Sequence, residues 1–217
     1  MKPLVTLVDD ALPPASFAAV LKAVRGLGSE RLRSSYQTTF WFGFEAAASN
    51  VIEDAVTRLR RHVPEGRYAG VEWWLSRMRT SRVKVDFHRD RDNALAAKTG
   101  REVHPAWSTL LYLNRCRGGL LAVTRDAPNE QNQAFAPDRH DFDLVEPAPN
   151  RFCAFDGRLT HGVLDANNHI PGARLPREPR LRLAVAINFW KKRPMEVPTF
   201  SQTRHYRSLG NKGDRLV

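Results

Sequence analysis

Arg180-Leu-Arg-Leu-Ala-Val-Ala-Ile-Asn-Phe-Trp190 alternates without a break. Along an extended backbone, successive side chains point to opposite faces. One face carries Leu181, Leu183, Val185, Ile187 and Phe189, the composition of a core. The other carries Arg180, Arg182, Ala184, Ala186 and Asn188. A guanidinium whose same-face neighbours are small alanines points into open space. Such a cation can bind a carboxylate through two parallel N–H donors.

Upstream of this strand the pattern repeats in shorter pieces. Val71–Met78, Ser81–His88, Ser108–Leu113, Gly119–Thr124 and Arg151–Phe155 read as strands, most of them ending in Gly, Pro, Asn or Asp. No helix-length amphipathic pattern interrupts them, which argues against parallel β-α-β winding. The chain begins differently. Leu4–Val8 reads as a short strand, and Pro13-Pro14 start a helix through Arg25 with Phe17, Val20, Leu21 and Val24 on one stripe. The aromatic run Tyr36–Phe44 reads as irregular or extended, with Phe40-Trp41-Phe42 as core. A second helix over Ser49–His62 carries Val51, Ile52, Ala55, Val56 and Leu59. Helices first and short strands after predict a mainly β fold, an antiparallel sandwich or barrel backed by α-helices. Residues 11–63 form the helical support, 71–190 the β core, and 195–217 a basic C-terminal tail, packed on or trailing from a single domain of 1–194. Three polar loops, Arg91–Trp107, Arg125–Asp143 and Leu164–Pro179, are long for a compact domain and read as functional. The first leaves directly from His88-Arg89-Asp90 and reads as a lid.

Composition narrows the class. A chain of 217 residues that is 42% hydrophobic can bury a core and is too apolar for disorder. No apolar run approaches the ~18 residues of a membrane span. The opening MKPLVTLVDD reaches two aspartates before any long apolar stretch, unlike a secretory signal. Cys116 and Cys153 stand far apart, which excludes a disulfide scaffold or a cysteine-ligated zinc site. These features favour a cytoplasmic protein with no membrane partner; the oligomeric state is open. The net charge is +11, and residues 171–217 hold eleven basic and three acidic side chains. No stacking platform or helical reader accompanies that charge, so a solvated Arg-rich surface is favoured over a nucleic-acid interface.

The chemistry-bearing residues follow. His88 and Asp90, two apart on a strand, point to one side and can share one metal ion. A second imidazole is available at His161, after the strand and turn of Arg151–Phe155 and Asp156-Gly157. Two His and one carboxylate on one face leave positions open, as in non-haem Fe(II) oxygenases. Asp86 and Asp92 flank the pair by parity and are secondary candidates. One of Trp73 and Trp74 faces the core and the other the pocket side.

In the order His88-x-Asp90, Tyr112-Leu-Asn114, Gly118-Gly119, His161 and Arg182, the sequence resembles the Fe(II)- and 2-oxoglutarate-dependent oxygenases, in particular the prolyl-4-hydroxylase-like branch. The resemblance spans about Leu4 to Trp190 and includes LVTLVDDALPPASFAAVL and RFCAFDGRLTHGV. It implies a double-stranded β-helix (jelly roll, cupin-like) core. It implies Fe(II) on His88, Asp90 and His161, and 2-oxoglutarate with its far carboxylate on Arg182 and Tyr112 and a wall at Leu121. It also implies O2 as oxidant and ascorbate as a reductant. Arg180 is a rival of Arg182, since the Asp165–Pro179 insertion lengthens the spacing from His161. Halogenating relatives replace the aspartate with a small residue, so Asp90 favours hydroxylation. The implied substrates are an amino acid, a small metabolite or a peptidyl side chain, with Arg77, Arg79 and Arg82 as candidate contacts to a substrate carboxylate. Demethylation of nucleic acid is a weaker alternative, since such relatives carry a second arginine where this chain has Asn188 and Phe189. A non-catalytic jelly-roll binding module is the other alternative.

Overall fold

The computed structural model describes residues 2–28, 38–79, 85–116, 118–125, 142–164, 181–203 and 206–210. In chain order the elements are β1 (Thr6–Val8), α1 (Pro14–Gly26), β2 (Phe40–Gly43), α2 (Val51–Leu59), β3 (Gly70–Arg79), β4 (Val85–His88), α3 (Asn93–Thr99), β5 (Trp107–Tyr112), β6 (Leu121–Thr124), β7 (Asp143–Val145), β8 (Phe152–Asp156), β9 (Thr160–Val163) and β10 (Leu181–Trp190). Two sheets result, a large one in the order β1-β8-β5-β10-β3-β2 and a small one in the order β4-β9-β6-β7. Every strand pair is antiparallel.

The alternation of β10 sets the layers. Leu183, Val185, Ile187 and Phe189 join Val71, Trp73 and Leu75 of β3 in a core with Val20 and Val24 of α1 and Ile52, Val56 and Leu59 of α2. Full burial of side chains of this size stabilises the fold by ~1.5–3 kcal/mol each. The other face of the same strands carries Ala184 and Ala186, which pack with Leu110, Tyr112, Cys153 and Phe155 of the large sheet. Leu121, Val123 and Val145 of the small sheet close this second core, so it lies between the sheets. Both cysteines are buried there or beside it, and free.

Helix α2 is fixed by its entry. The Asn50 side chain accepts from the N–H groups of Ile52 (2.9 Å) and Glu53 (3.0 Å), and Glu53 accepts in return from Ser49 N–H and hydroxyl, both at 2.7 Å. A single 3-10 turn, Arg60–His62, continues it to the predicted end. The described residues beyond Pro194, 195–203 and 206–210, pack on the domain: Phe200 and Leu209 are buried in the helical core, and Thr199 bridges to Trp41.

Two expectations are corrected. The loop Arg91–Trp107 contains α3, capped by the Asp92 side chain at Leu95 N–H (2.9 Å) and ended by Gly100 at φ 70°. None of the residues of α3 is buried, so no apolar stripe announced it. His161, expected after the strand and turn of Arg151–Phe155 and Asp156-Gly157, lies in a further strand, β9. Asp143 opens a strand, β7, rather than ending a loop. Most of the Arg125–Asp143 and Leu164–Pro179 loops, Ser81–Lys84, the Asp86 and Arg79 side chains, and all of Arg82 and Arg180 lie outside the described residues. Among the described residues no helix is long and apolar enough to cross a membrane.

Candidate metal centre

His88 ends β4 and His161 sits in β9, and the two are direct partners across that antiparallel pair. A register shift between Val85 and His88 accompanies this pairing. The imidazoles meet with ring centroids 4.5 Å apart. Asp90, just past the strand end, reaches between them. His88 Nε2 is 3.4 Å from Asp90 Oδ1, and His161 Nε2 is 3.4 Å from Asp90 Oδ2. The three donor atoms lie within 4.8 Å of one another, and no other such convergence occurs among the described residues. With metal–ligand bonds of about 2.0–2.2 Å, donors at these separations need only small movements to share one ion.

The surroundings hold the ligands in the required states. His161 Nδ1 faces the Leu159 carbonyl at 3.3 Å, which fixes the ring with Nε2 turned towards Asp90. Asp90 is 8% exposed. Burial alone would raise its carboxyl, but the His161 and His88 imidazoles outweigh burial and hold it well below the usual carboxylate range. Asp90 Oδ2 accepts from Ser108 Oγ (3.1 Å) and Asn188 Nδ2 (3.0 Å), which are cross-strand partners on β5 and β10. Its backbone carbonyl accepts from His104 Nδ1 at 2.7 Å. The Asp92 carboxylate is committed elsewhere, to the α3 cap and to Met195 N–H at 2.8 Å.

Along the same face of β10, towards the opposite end of the strand, lies Arg182, 1% exposed. Its Nε donates to Gly119 O (3.1 Å) and its Nη1 to Ser76 Oγ (2.6 Å). Its Nη2 is buried with no hydrogen-bond partner, and so is the hydroxyl of Tyr112, whose ring lies 5.2 Å from the guanidinium carbon. Burial and the neighbouring Cys153 push the Tyr112 hydroxyl up, so it is a neutral donor. No carboxylate pairs with Arg182 among the described residues. Buried polar groups without partners are costly, and two donors left open side by side fit an incoming carboxylate. Leu121, 1% exposed, packs in the same inter-sheet cluster as Tyr112 and Ala184.

Gly118-Gly119 makes the close approach to Arg182. Gly119 has φ +71°, and a Cβ there would stand 2.7 Å from Arg182 Cδ. Gly119→Ala is therefore expected to destabilise the chain by ~1–2 kcal/mol through strain and to displace Arg182. Urea denaturation and a 2-oxoglutarate titration check the two effects.

Trp73 and Trp74 divide as expected: Trp73 is fully buried against Phe40 in the helical core, while Trp74 packs, partly exposed, on the inter-sheet side. Arg77 is corrected. It is 2% exposed, lies on the strand face opposite Ser76 and Trp74, and donates through Nη2 to Gly28 O, away from the metal centre.

Sequence reasoning missed Glu72. It is the cross-strand partner of Asn188 and shares the inner face. Burial, with the charges of Asp90 and Asp92, pushes its carboxyl up to about 7, against Thr39 and Trp190, which favour the ionised form. The folded chain thus holds a proton that the unfolded chain releases near pH 4.5, so this group makes stability fall as pH rises from about 4.5 to 7. Glu72→Gln is expected to be about 3 kcal/mol more stable than the parent at pH 8 and equal to it at pH 4. Urea denaturation of the metal-free proteins at both pH values measures the difference.

No family model matches the chain, and no curated protein matches its sequence. Solved structures do. A Pseudomonas putida prolyl-4-hydroxylase is 18% identical with a TM-score of 0.51, the match covering 88% of this chain and 89% of that one. A Trichoplax adhaerens prolyl hydroxylase, solved with a hypoxia inducible factor oxygen degradation domain peptide fragment, is 16% identical with a TM-score of 0.53, covering 87% and 84%. A Phytophthora capsici prolyl 4-hydroxylase is 19% identical with a TM-score of 0.50, covering 91% of this chain and 61% of that one. The likeness is one of fold: this chain shares the architecture of the prolyl hydroxylases.

Proposed function

We propose that the protein is an Fe(II)- and 2-oxoglutarate-dependent dioxygenase with a jelly-roll core. It hydroxylates a C–H bond of an amino acid, small metabolite or peptidyl side chain. The observation that carries the reading is the pair of open donors, Arg182 Nη2 and Tyr112 hydroxyl, buried on the sheet face that also presents the partners of Asp90. A metal cluster alone would fit many chemistries. A group of metal-ligating side chains with a buried, unpaired carboxylate receptor on the same sheet face fits a metal-chelating dicarboxylate.

In this reading His88, Asp90 and His161 would hold the Fe(II). Iron and 2-oxoglutarate would supply the activation of dioxygen when bound; the protein supplies their position. Arg182 and Tyr112 bind the far carboxylate of the cosubstrate. Ala184 and Ala186 keep the floor low, and Leu121 closes the wall. Ser108 and Asn188 fix the Asp90 carboxylate. The balanced reaction takes substrate C–H, O2 and 2-oxoglutarate to C–OH, succinate and CO2.

The test is succinate release with Fe(II), O2 and 2-oxoglutarate, screened over amino acids, peptides and oligonucleotides. Release stimulated by an amino acid, metabolite or peptide is expected. Stimulation by oligonucleotides alone would overturn the substrate class, and no release under any condition would overturn the reaction. Arg180→Ala is expected to leave most of the turnover; a larger rise in 2-oxoglutarate requirement there than in Arg182→Ala would move the cosubstrate role to Arg180.

A further inference from the structure

Glu72 faces Asn188 of β10 on one side and Trp41 of β2 on the other, as the direct cross-strand partner of each. Directly opposed residues project from the same face of a sheet, and so do residues two apart. Trp74 and Trp190 therefore share that face with Glu72 and Trp41. Three indoles share the sheet face of one carboxylate, and its cross-strand partner Asn188 binds Asp90 Oδ2 at 3.0 Å. The carboxylate is one strand away from the metal centre.

The setting is unusual for a structural glutamate. Glu72 is half-buried and has no lysine or arginine partner among the described residues. The Trp190 indole N–H, in a residue 2% exposed, lies beside the carboxyl without a hydrogen bond of good geometry. Trp41 already has a guanidinium over its ring, Arg193 at 5.9 Å, whereas no cation covers Trp74 among the described residues. Trp74 is also partly exposed. Once ionised, a carboxylate on the same sheet face as a partly exposed indole attracts organic cations through charge and through the ring quadrupole. Fe(II), Asp90, doubly charged 2-oxoglutarate and the Arg182 guanidinium sum to zero, so the centre does not repel such a group. Arg77, the arginine expected to receive a substrate carboxylate, points the other way.

We infer that the substrate carries an organic ammonium group that seats between Glu72 and the Trp74 ring, which turns a neighbouring C–H towards the His88–Asp90–His161 centre. The inference rests on the oxygenase reading for the fate of that C–H and on the sheet register for the seat itself.

The test titrates the full chain, loaded with Mn(II) and 2-oxoglutarate in the absence of O2, and follows tryptophan fluorescence. The probes are choline against its uncharged isostere 3,3-dimethyl-1-butanol, and n-butylammonium against n-butanol. At least one cation is expected to bind ten-fold or more tightly than its uncharged counterpart. Glu72→Gln, which the parent fold accommodates without added charge, is expected to remove that preference at least ten-fold. Its Mn(II) and 2-oxoglutarate titrations are expected to stay unchanged. Equal binding of cation and isostere, an unaltered preference in Glu72→Gln, or no cation binding overturns the ammonium seat. Cation preference in a chain that takes up neither Mn(II) nor 2-oxoglutarate supports the seat and removes the oxygenase reading instead.

Discussion

Replacing His161 by alanine is expected to weaken divalent-metal binding by at least ~100-fold and to abolish turnover. Loss of a group that only supports a metal ligand costs 10–100-fold in affinity, and His161 would be a ligand itself. It is also the fixed one. It is 9% exposed, its Nδ1 is tied to Leu159 O, and Phe155 packs on its ring at 4.9 Å. His88 ends its strand and is more exposed. Without His161, Asp90 also loses the larger of the two imidazole influences that keep its carboxyl ionised while buried. The fold should survive. β9 is held by backbone pairing to β4 and β6 on its two sides, and the ring contributes none of those bonds. Circular dichroism unchanged with Mn(II) affinity lost is the expected pair of results; Mn(II) affinity within a few-fold of the parent would remove His161 from the site.

The second large effect separates stability from function. Arg182 is a buried cation with no carboxylate partner among the described residues, held only by Gly119 O and Ser76 Oγ. Keeping a charge there costs the fold, and a methionine of similar length removes that cost. The loss of two hydrogen bonds offsets part of the gain. Arg182→Met is expected to stabilise the ligand-free chain by about 1 kcal/mol, or ~2–4 °C in Tm. With Mn(II) and 2-oxoglutarate the order should reverse. The parent gains about 2.7 kcal/mol at a cosubstrate concentration of 100 Kd, and the variant gains almost nothing. Thermal melts of both chains with and without 2-oxoglutarate show whether the curves cross. A variant that is still stabilised by 2-oxoglutarate would show that the carboxylate binds elsewhere.

Several parts of this site could be read before any coordinates. The alternation of β10 put Arg182, Ala184, Ala186 and Asn188 on one face, because a core strand cannot shift register by one without exposing its apolar set. The same parity placed His88 and Asp90 together. Other parts depended on pairing between distant segments. β9 is four residues long and includes Gly162, so its pattern is too short to declare a strand around His161. α3 is held by its ends, an Asp92 cap and Gly100 in the left-handed region, and those two residues were the signal that could have found it. Arg77 was misplaced because the face of a strand follows from parity relative to a known core residue. Leu75, buried with the helices, fixes Arg77 to that same side. Glu72 and Trp41 meet only through the β2–β3 register, which no local pattern specifies.

Calorimetric titration tests the central idea most directly: Mn(II) is added to the metal-free chain, and 2-oxoglutarate is then added to the product. The account predicts one Mn(II) per chain, lost in His161→Ala, and one 2-oxoglutarate per chain that binds tightly only after the metal and is lost in Arg182→Met. A chain that takes up no Mn(II), or takes up 2-oxoglutarate equally well without metal and without Arg182, would contradict it.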